Sequence, residues 1–426
     1  MTAVLTAVGR WDSQLATALE ASNQVMIARR CADLADLLAT AAAGLGAAAV
    51  VSDDLRGLDL SAVAALRASG LHVVGVSAPG DEDSERHLRQ LGITTVVAAG
   101  SPLTVLEAAL LEPSSVTQVL DHAGLPPDPF TEGPEASAHT VLLPGPDEDE
   151  RRPPGRVVAV WGPTGAPGRT TVAVAIASEL AGLGVSTVLV DADTYGGSVA
   201  QALSLLDEAP GLAAAARAAD QGTLDLATLA RLSPQVTRGM RVITGIPKAE
   251  RWPEIRAAAL ERVLELARSL AEVVVVDCGF NLEDDEELSY DTQAPRRNAA
   301  TLTTLSVADD LLAVGSCDPV GLQRLVRGLQ ELGTVPSPPP RVVVNRVRSS
   351  SVGSHPENRV SDALARFAGV ERVDFVPDDP QALDDAAREG RALCECAPGS
   401  PARVALRALA ASVAGVPARA TRRSRR

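Results

Sequence analysis

The sequence predicts two α/β domains in one chain, each a parallel sheet with helices on both faces. Three observations carry that reading. Short, β-rich apolar runs alternate with amphipathic stretches over residues 1–123 and again over 156–414, an alternation that buries each strand between two helix layers. Residues 124–155 hold eight prolines and the run Asp147-Glu148-Asp149-Glu150. Such a segment buries too little apolar surface to fold and reads as a linker. Finally, a Gly/Pro loop follows the first strand of the second region and opens directly into a helix.

The first region reads strand Ala3–Val8, helix Asp12–Ala21, strand Val25–Ala28, helix Ala32–Ala42 and strand Ala47–Val51. Helix Ser61–Ala68, strand His72–Ser77, helix Ser84–Leu91, strand Thr95–Ala98 and helix Leu103–Leu111 complete it. Five βα units in about 120 residues have the size of a flavodoxin-like domain. The second region opens with strand Arg156–Trp161 and helix Thr170–Ala181. Its later strands are Thr187–Asp191, Arg241–Thr244, Val273–Asp277, Leu311–Gly315, Arg341–Asn345 and Val373–Val376. Helices are expected at Pro253–Leu270, Gly321–Leu332, Arg359–Ala368 and Pro401–Val413. This is a second doubly wound layout, in which ligands bind at the carboxyl ends of the strands. Residues 415–426 read as a basic, disordered tail.

Composition narrows the function. Hydrophobic residues make up 46% and charged residues 22%, so a sizeable core is expected, yet aromatics are only 2%. The core must therefore be Ala, Val and Leu, and base-stacking platforms are excluded for lack of rings. A net charge of −15 argues against a nucleic-acid partner. The local exception is Arg419 to Arg426, with five arginines and no acid; it reads first as a solvated tail, with peripheral contact to anionic lipid as the alternative. The five cysteines are scattered and without zinc spacing, which suggests reduced thiols in a cytoplasmic protein. No signal-peptide pattern opens the chain, and no apolar run is long enough to span a bilayer.

The chemistry concentrates in the loop from Gly162 to Thr171. Gly165, Ala166 and Gly168 are small enough for close backbone approach. Arg169 supplies a cation, and Thr170 and Thr171 open the helix whose N-terminus favours an anion. A hydroxyl directly after the basic position suits a Mg2+ ligand, which points to Thr170. Carboxylates stand at two further strand ends: the pair Asp191 and Asp193, and Asp277 after Val273-Val274-Val275-Val276. One acid of this set would hold the ion and another would orient water.

In this order the parts resemble the MinD/ParA superfamily of deviant Walker P-loop ATPases over nearly all of 156–414. The matching pieces are the loop, Asp191 to Asp193 with Tyr195-Gly196-Gly197, the strand into Asp277, Val343-Val344-Asn345-Arg346, and Val376-Pro377-Asp378. The resemblance implies ATP and Mg2+ as cofactors, with the ion on Thr170 and Asp277. It implies that Asp193 orders the hydrolytic water, with Arg169 beside it, and that Asn345, Pro377 and Asp378 frame the adenine. It also implies a homodimer. The front domain resembles a response-regulator receiver, and the combination looks like the CpaE/TadZ branch, which places pilus-secretion machinery and has relatives described as septum-site-determining proteins.

The loop departs from G-x-x-x-x-G-K-[ST] in several places. Pro163 replaces its first glycine, Arg169 its lysine, and Thr164 the family's extra signature lysine; Lys248 is the only lysine in the chain. Pro167 removes an N–H from the cradle, and Glu283 to Glu287 are acidic where a second polyanion would approach. The expectation is a nucleotide-dependent spatial regulator with weak or partner-stimulated hydrolysis, the alternative being a non-catalytic scaffold. In the front domain Val8-Gly9-Arg10 offers no acidic pair, and Gly100-Ser101-Pro102 has no lysine. It is expected to be a pseudo-receiver in which Asp53 and Asp54 are solvated loop acids. The apolar stripe Leu406, Leu409, Val413 of the last helix is expected to pack on the sheet rather than on a membrane.

Overall fold

The computed structural model describes residues 1–111, 153–165, 168–205, 211–284 and 295–415. The linker core, loop residues Ala166 and Pro167, the acids Asp285 to Glu287 and the arginine-rich tail lie outside the described residues.

The front unit is a five-stranded parallel sheet of order β2-β1-β3-β4-β5, the flavodoxin-like order. Its strands are β1 Thr2–Ala7, β2 Val25–Arg30, β3 Ala48–Ser52, β4 His72–Ser77 and β5 Thr95–Ala98. Helices α1 Asp12–Glu20, α2 Leu34–Ala42, α3 Leu60–Ala68, α4 Glu82–Gln90 and α5 Leu103–Leu111 connect and follow them. The central strand β3 is buried along its whole length, which its uninterrupted Ala-Ala-Val-Val run permits.

One front-domain expectation needs correction: Asp53 and Asp54 are not simply solvated. Arg10 pairs with Asp53 at 3.3 Å, and its backbone N–H donates to Asp54 at 3.1 Å. The Ser52 hydroxyl also donates to Asp54. Burial pushes the Asp54 carboxyl up, but these donors outweigh it and leave the group below its usual range. An arginine thus occupies the space over the strand ends where an acidic pair would hold a cation.

The second unit is an eight-stranded sheet of order β13-β12-β11-β6-β10-β7-β9-β8. The strands are β6 Arg156–Trp161, β7 Thr187–Ala192, β8 Gln235–Thr237, β9 Met240–Ile243 and β10 Val273–Cys278, then β11 Asp310–Ser316, β12 Pro340–Val347 and β13 Val373–Pro377. All pairings are parallel except β8 on β9. The main helices are α6 Arg169–Gly182, α7 Gly211–Asp220, α8 Leu226–Leu232, α9 Ala257–Leu270 and α10 Ala299–Val307. They continue with α11 Pro319–Leu332, α12 Pro356–Ala368, α13 Pro380–Glu389 and α14 Pro401–Val413.

Strand residues alternate between two cores, as a period of two requires. Val157, Ala159, Val274 and Val276 face α7, α9 and α10; Val158, Val160, Val273 and Val275 face α6 and α14. Among the described residues Trp161 is the only aromatic of the largest fully buried side chains, and the others are leucine and isoleucine. Leu406, Leu409 and Val413 are buried in the α6 core, so the apolar stripe of α14 is spent on packing. Beneath it the buried Glu179 carboxylate accepts from Arg403 at 3.1 Å and from Arg407 at 2.9 Å. No described helix is long and apolar enough to cross a membrane.

Helix Pro253–Leu270 is also corrected. A 3-10 segment covers Ala249–Glu254, with Pro253 inside it, and the α-helix starts only at Ala257. Pro253 can donate no helical hydrogen bond and crowds the preceding turn.

Candidate functional site

The site lies at the carboxyl edge of the second sheet, over its central strands β6, β10 and β7. Strand β6 ends at Trp161, whose ring N–H donates to the Phe280 carbonyl at 3.2 Å and so fixes the segment after β10. The chain then turns through Gly165, at φ +65°, and Gly168, at φ +100°, before α6 begins. A Cβ on Gly168 would lie 2.2 Å from Asn345 Nδ2, so only glycine fits this left-handed, crowded position. Asn345, at the end of β12, is thereby packed against the base of the loop. Its Oδ1 accepts from the Arg346 N–H at 2.9 Å, in a turn that holds Arg346 itself at φ +56°.

Three carboxylates and one guanidinium meet behind the loop. The Thr170 hydroxyl donates to Asp277 Oδ2 at 2.6 Å. The other oxygen, Asp277 Oδ1, is buried with no hydrogen-bond partner. Burial, reinforced by the neighbouring Asp191, raises the Asp277 carboxyl well above the carboxylate range. Asp191 is pushed up to about 7, chiefly by burial, against the opposing effect of the Val199 N–H. It accepts from the N–H groups of Asp193 at 3.2 Å and Val199 at 3.0 Å, and so braces the turn after β7 rather than facing the loop.

Asp193 has the other role. Its Oδ1 accepts from the N–H groups of Tyr195 at 2.9 Å and Gly196 at 3.2 Å. Its Oδ2 pairs with Arg169 Nη2 at 3.1 Å. The second arm of Arg169 donates to the Gly162 carbonyl at 2.9 Å, and its Nε is buried without a partner. The loop cation is therefore turned inward.

These residues fit a bound Mg2+-nucleotide on local grounds. Asp277 Oδ1 lacks a partner next to a hydroxyl, and burial raises the carboxyls of both Asp191 and Asp277. Among the described residues no group of three or more His, Cys, Asp or Glu is arranged to hold a metal. Mg2+ commonly needs none, because it keeps water and uses one or two protein oxygens plus phosphate.

Of the sequence-predicted residues, the fold brings together Gly165, Gly168, Arg169, Thr170, Asp193, Asp277 and Asn345. Thr171 is in the first turn of α6, and Ala166 lies outside the described residues. Pro377 ends β13, and the Asp378 N–H donates to the Val347 carbonyl at 3.0 Å. They share the carboxyl edge but lie three strands from β6, roughly 14 Å by strand spacing. The Asp378 carboxylate is engaged by Arg348 at 3.1 Å.

Sequence reasoning missed a clamp around Tyr195. Arg297 stacks on the Tyr195 ring at 3.6 Å and donates to Thr194 Oγ1 at 2.9 Å. The Tyr195 hydroxyl donates to Asn298 Oδ1 at 2.7 Å, and its ring meets Phe280 at 4.7 Å. Only Tyr195-Gly196-Gly197 had a motif to announce it. Arg297 and Asn298 follow an acid-rich stretch of sequence that carries no motif.

A doubly wound sheet with a glycine-turned loop before a helix, and acids at neighbouring strand ends, defines a P-loop nucleotide-binding protein. The family model described as "CobQ/CobB/MinD/ParA nucleotide binding domain" matches residues 158–392, and the chain belongs to that family. Among solved structures it is similar to a ParA family ATPase from Chlorobium tepidum. The two share 19% identity over 60% of this chain and 98% of that one, with a TM-score of 0.50. It is also similar to the septum site-determining protein MinD of Pyrococcus horikoshii, complexed with Mg-ADP. There the identity is 17%, over 61% of this chain and 96% of that one, with a TM-score of 0.48. The MinC:MinD complex of Aquifex aeolicus matches at 18% identity over 63% of this chain and 99% of that one, with a TM-score of 0.48. At 19% identity the likeness to the ParA family ATPase describes the fold alone. No curated protein matches the chain by sequence.

Proposed function

We propose that this chain is a nucleotide-dependent spatial regulator of the MinD/ParA kind that takes up ATP with Mg2+ at the carboxyl edge of its second sheet. The observation that carries this reading is the 2.6 Å Thr170–Asp277 pair with the opposite Asp277 oxygen buried and partnerless. Family membership supports the nucleotide. Thr170 and Asp277 would hold the ion, which would supply charge neutralisation at the phosphates. The turned glycines would cradle those phosphates, and Asn345, Pro377 and Asp378 would frame the base. Asp193 would orient water once freed from Arg169.

The finer reading is a CpaE/TadZ-like protein that works as a homodimer in the cytoplasm and meets partners of the division or pilus machinery. Its front unit, 1–123, would be a pseudo-receiver used for docking. Residues 124–155 would be a linker, 156–414 the ATPase domain, and 415–426 a basic tail for peripheral membrane contact. Arg10 over Asp53 and Asp54 supports the loss of phospho-acceptor chemistry in the front unit.

Calorimetry of the full chain with Mg-ATP tests the main reading; no heat of binding at millimolar nucleotide would end it. A second reading, a scaffold that binds nucleotide without turning it over, is favoured by the Arg169–Asp193 ion pair. Phosphate release no faster than that of Asp193→Ala, with every candidate partner present, would select the scaffold.

A further inference from the structure

The loop's own cation is engaged elsewhere. Both arms of Arg169 are bonded, to Gly162 and to Asp193, and its side chain is only 14% exposed. Thr164 brings no charge. The one lysine of the chain, Lys248, is 70% exposed beside Glu250 and belongs to no part of the site. A polyphosphate on this loop would therefore lack the free cation that charge-assisted recognition requires.

Helix α11 brings one to the loop. Gly328 lies so close to the loop that a Cβ there would be 2.8 Å from the Pro163 Cβ and 3.1 Å from Trp161 Cη2. The missing side chain lets the helix rest directly on the proline that replaces the loop's usual first glycine. Arg324 is four residues earlier and so on the same helix face. Its Nη1 lies 1.9 Å from where a Cβ on Gly165 would be, and its Cζ 3.0 Å, so one arm of the guanidinium points into the space that glycine leaves open. Arg324 is exposed and forms no hydrogen bond or ion pair with another described residue. An arginine held by helix packing over a left-handed glycine, with no donor engaged among the described residues, is arranged for a ligand with several acceptor oxygens.

We propose that Arg324 is the polyphosphate-binding cation of this site, supplied from α11 in place of the lysines the loop lacks. Its ligand class is the di- or triphosphate of a nucleotide. The inference rests on the nucleotide-binding reading above and adds to it a residue that no loop motif contains. Pro163 and Gly328 become part of the same device, because their contact sets how far the guanidinium reaches.

The test is calorimetry on the full chain with Mg-ATP, Mg-ADP and inorganic tripolyphosphate. It compares the parent with Arg324→Ala, Arg324→Lys and the neighbouring exposed control Gln323→Ala. Arg324→Ala is expected to bind ATP and tripolyphosphate about tenfold more weakly or worse, the loss of a charge-assisted hydrogen bond. Arg324→Lys keeps the charge but not the fork, and is expected to fall between the two. Gln323→Ala is expected to match the parent, and thermal midpoints should stay level because Arg324 is at the surface. Arg324→Ala binding within about twofold of the parent would overturn the proposal and leave the nucleotide reading intact. A parent that takes up none of the three ligands would overturn both.

Discussion

Arg169 Nη2 and Asp193 Oδ2 form a 3.1 Å ion pair in which the two side chains are only 14% and 5% exposed. The residue expected to meet phosphate and the residue expected to order water thus neutralise each other. A nucleotide can use Arg169 only by drawing it off Asp193, which would free the carboxylate at the same moment. Under the proposed function, release of the Asp193 carboxylate would be coupled to displacement of this one guanidinium.

That coupling is measurable as stability. Arg169→Ala strands a buried carboxylate, and losing one partner of such a pair costs about 3–5 kcal/mol. The two backbone N–H donors that remain on Asp193 place the expected loss at the low end. Asp193→Asn in the same chain is expected to restore part of it. Urea melts of the two single variants and the double variant should return a coupling of about 1–3 kcal/mol. Strict additivity would show that the pair is not formed in solution.

The buried acids make stability depend on pH in a stated direction. Asp191 goes from 3.8 as an ordinary carboxyl to about 7 in the folded chain, and Asp277 moves the same way. Through that window the folded state holds protons that the unfolded chain has released. Stability therefore falls as pH rises, and is highest below the unfolded pKa as far as these groups are concerned. In chelator-treated buffer the thermal midpoint is expected to drop between about pH 5 and pH 7.5 by the equivalent of a few kcal/mol. Asp191→Asn should flatten the slope. A midpoint that rises across the interval would contradict the burial of charge described at this site.

Far from the site, the two arginines of α14 hold the buried Glu179 of α6. Arg403→Ala leaves Arg407 in place, so the expected loss is roughly 1–3 kcal/mol, below the full cost of an unpaired buried charge. Removing both arginines is expected to cost more than the sum of the single losses, because each can cover for the other. Glu179→Gln on that background should recover stability. Equal melts for the parent and the double arginine variant would show that the two arginines do not hold Glu179 in solution.

Much of this fold was legible because burial on both strand faces forces continuous apolar runs. Strand His72–Ser77, strand Arg156–Trp161 and helix Pro401–Val413 end where their apolar patterns end. Strand β8, Gln235–Thr237, was missed because one exposed and two half-buried residues carry no pattern. Pro253 was absorbed into a helix because the apolar spacing continues across it. At the site, Gly168, Thr170 and Asp277 were readable because the loop and its neighbouring strand ends follow in chain order. Asn345, expected beside the adenine, also packs on Gly168, a contact between a strand end and the loop that spacing cannot show. Arg297, in the turn before α10, and Arg324, on α11, touch Tyr195 and Gly165 through tertiary contacts that spacing along the chain does not announce.

Gly168 offers the sharpest test of the loop as a shaped cradle. Its φ of +100° is costly for any residue with a Cβ, about 1–2 kcal/mol. The added methyl carbon would also lie 2.2 Å from Asn345 Nδ2. The asparagine must then swing away, losing its bond to the Arg346 N–H at 2.9 Å. Gly168→Ala is expected to lower stability by about 2–3 kcal/mol in total, from backbone strain plus the lost hydrogen bond, and to abolish nucleotide uptake. Gly182→Ala, at the far end of the same helix with nothing within 4 Å of its Cβ position, should leave both properties unchanged or raise stability slightly. If Gly168→Ala binds nucleotide like the parent, the turn before α6 does not shape the ligand, and the site must be sought elsewhere on the sheet edge.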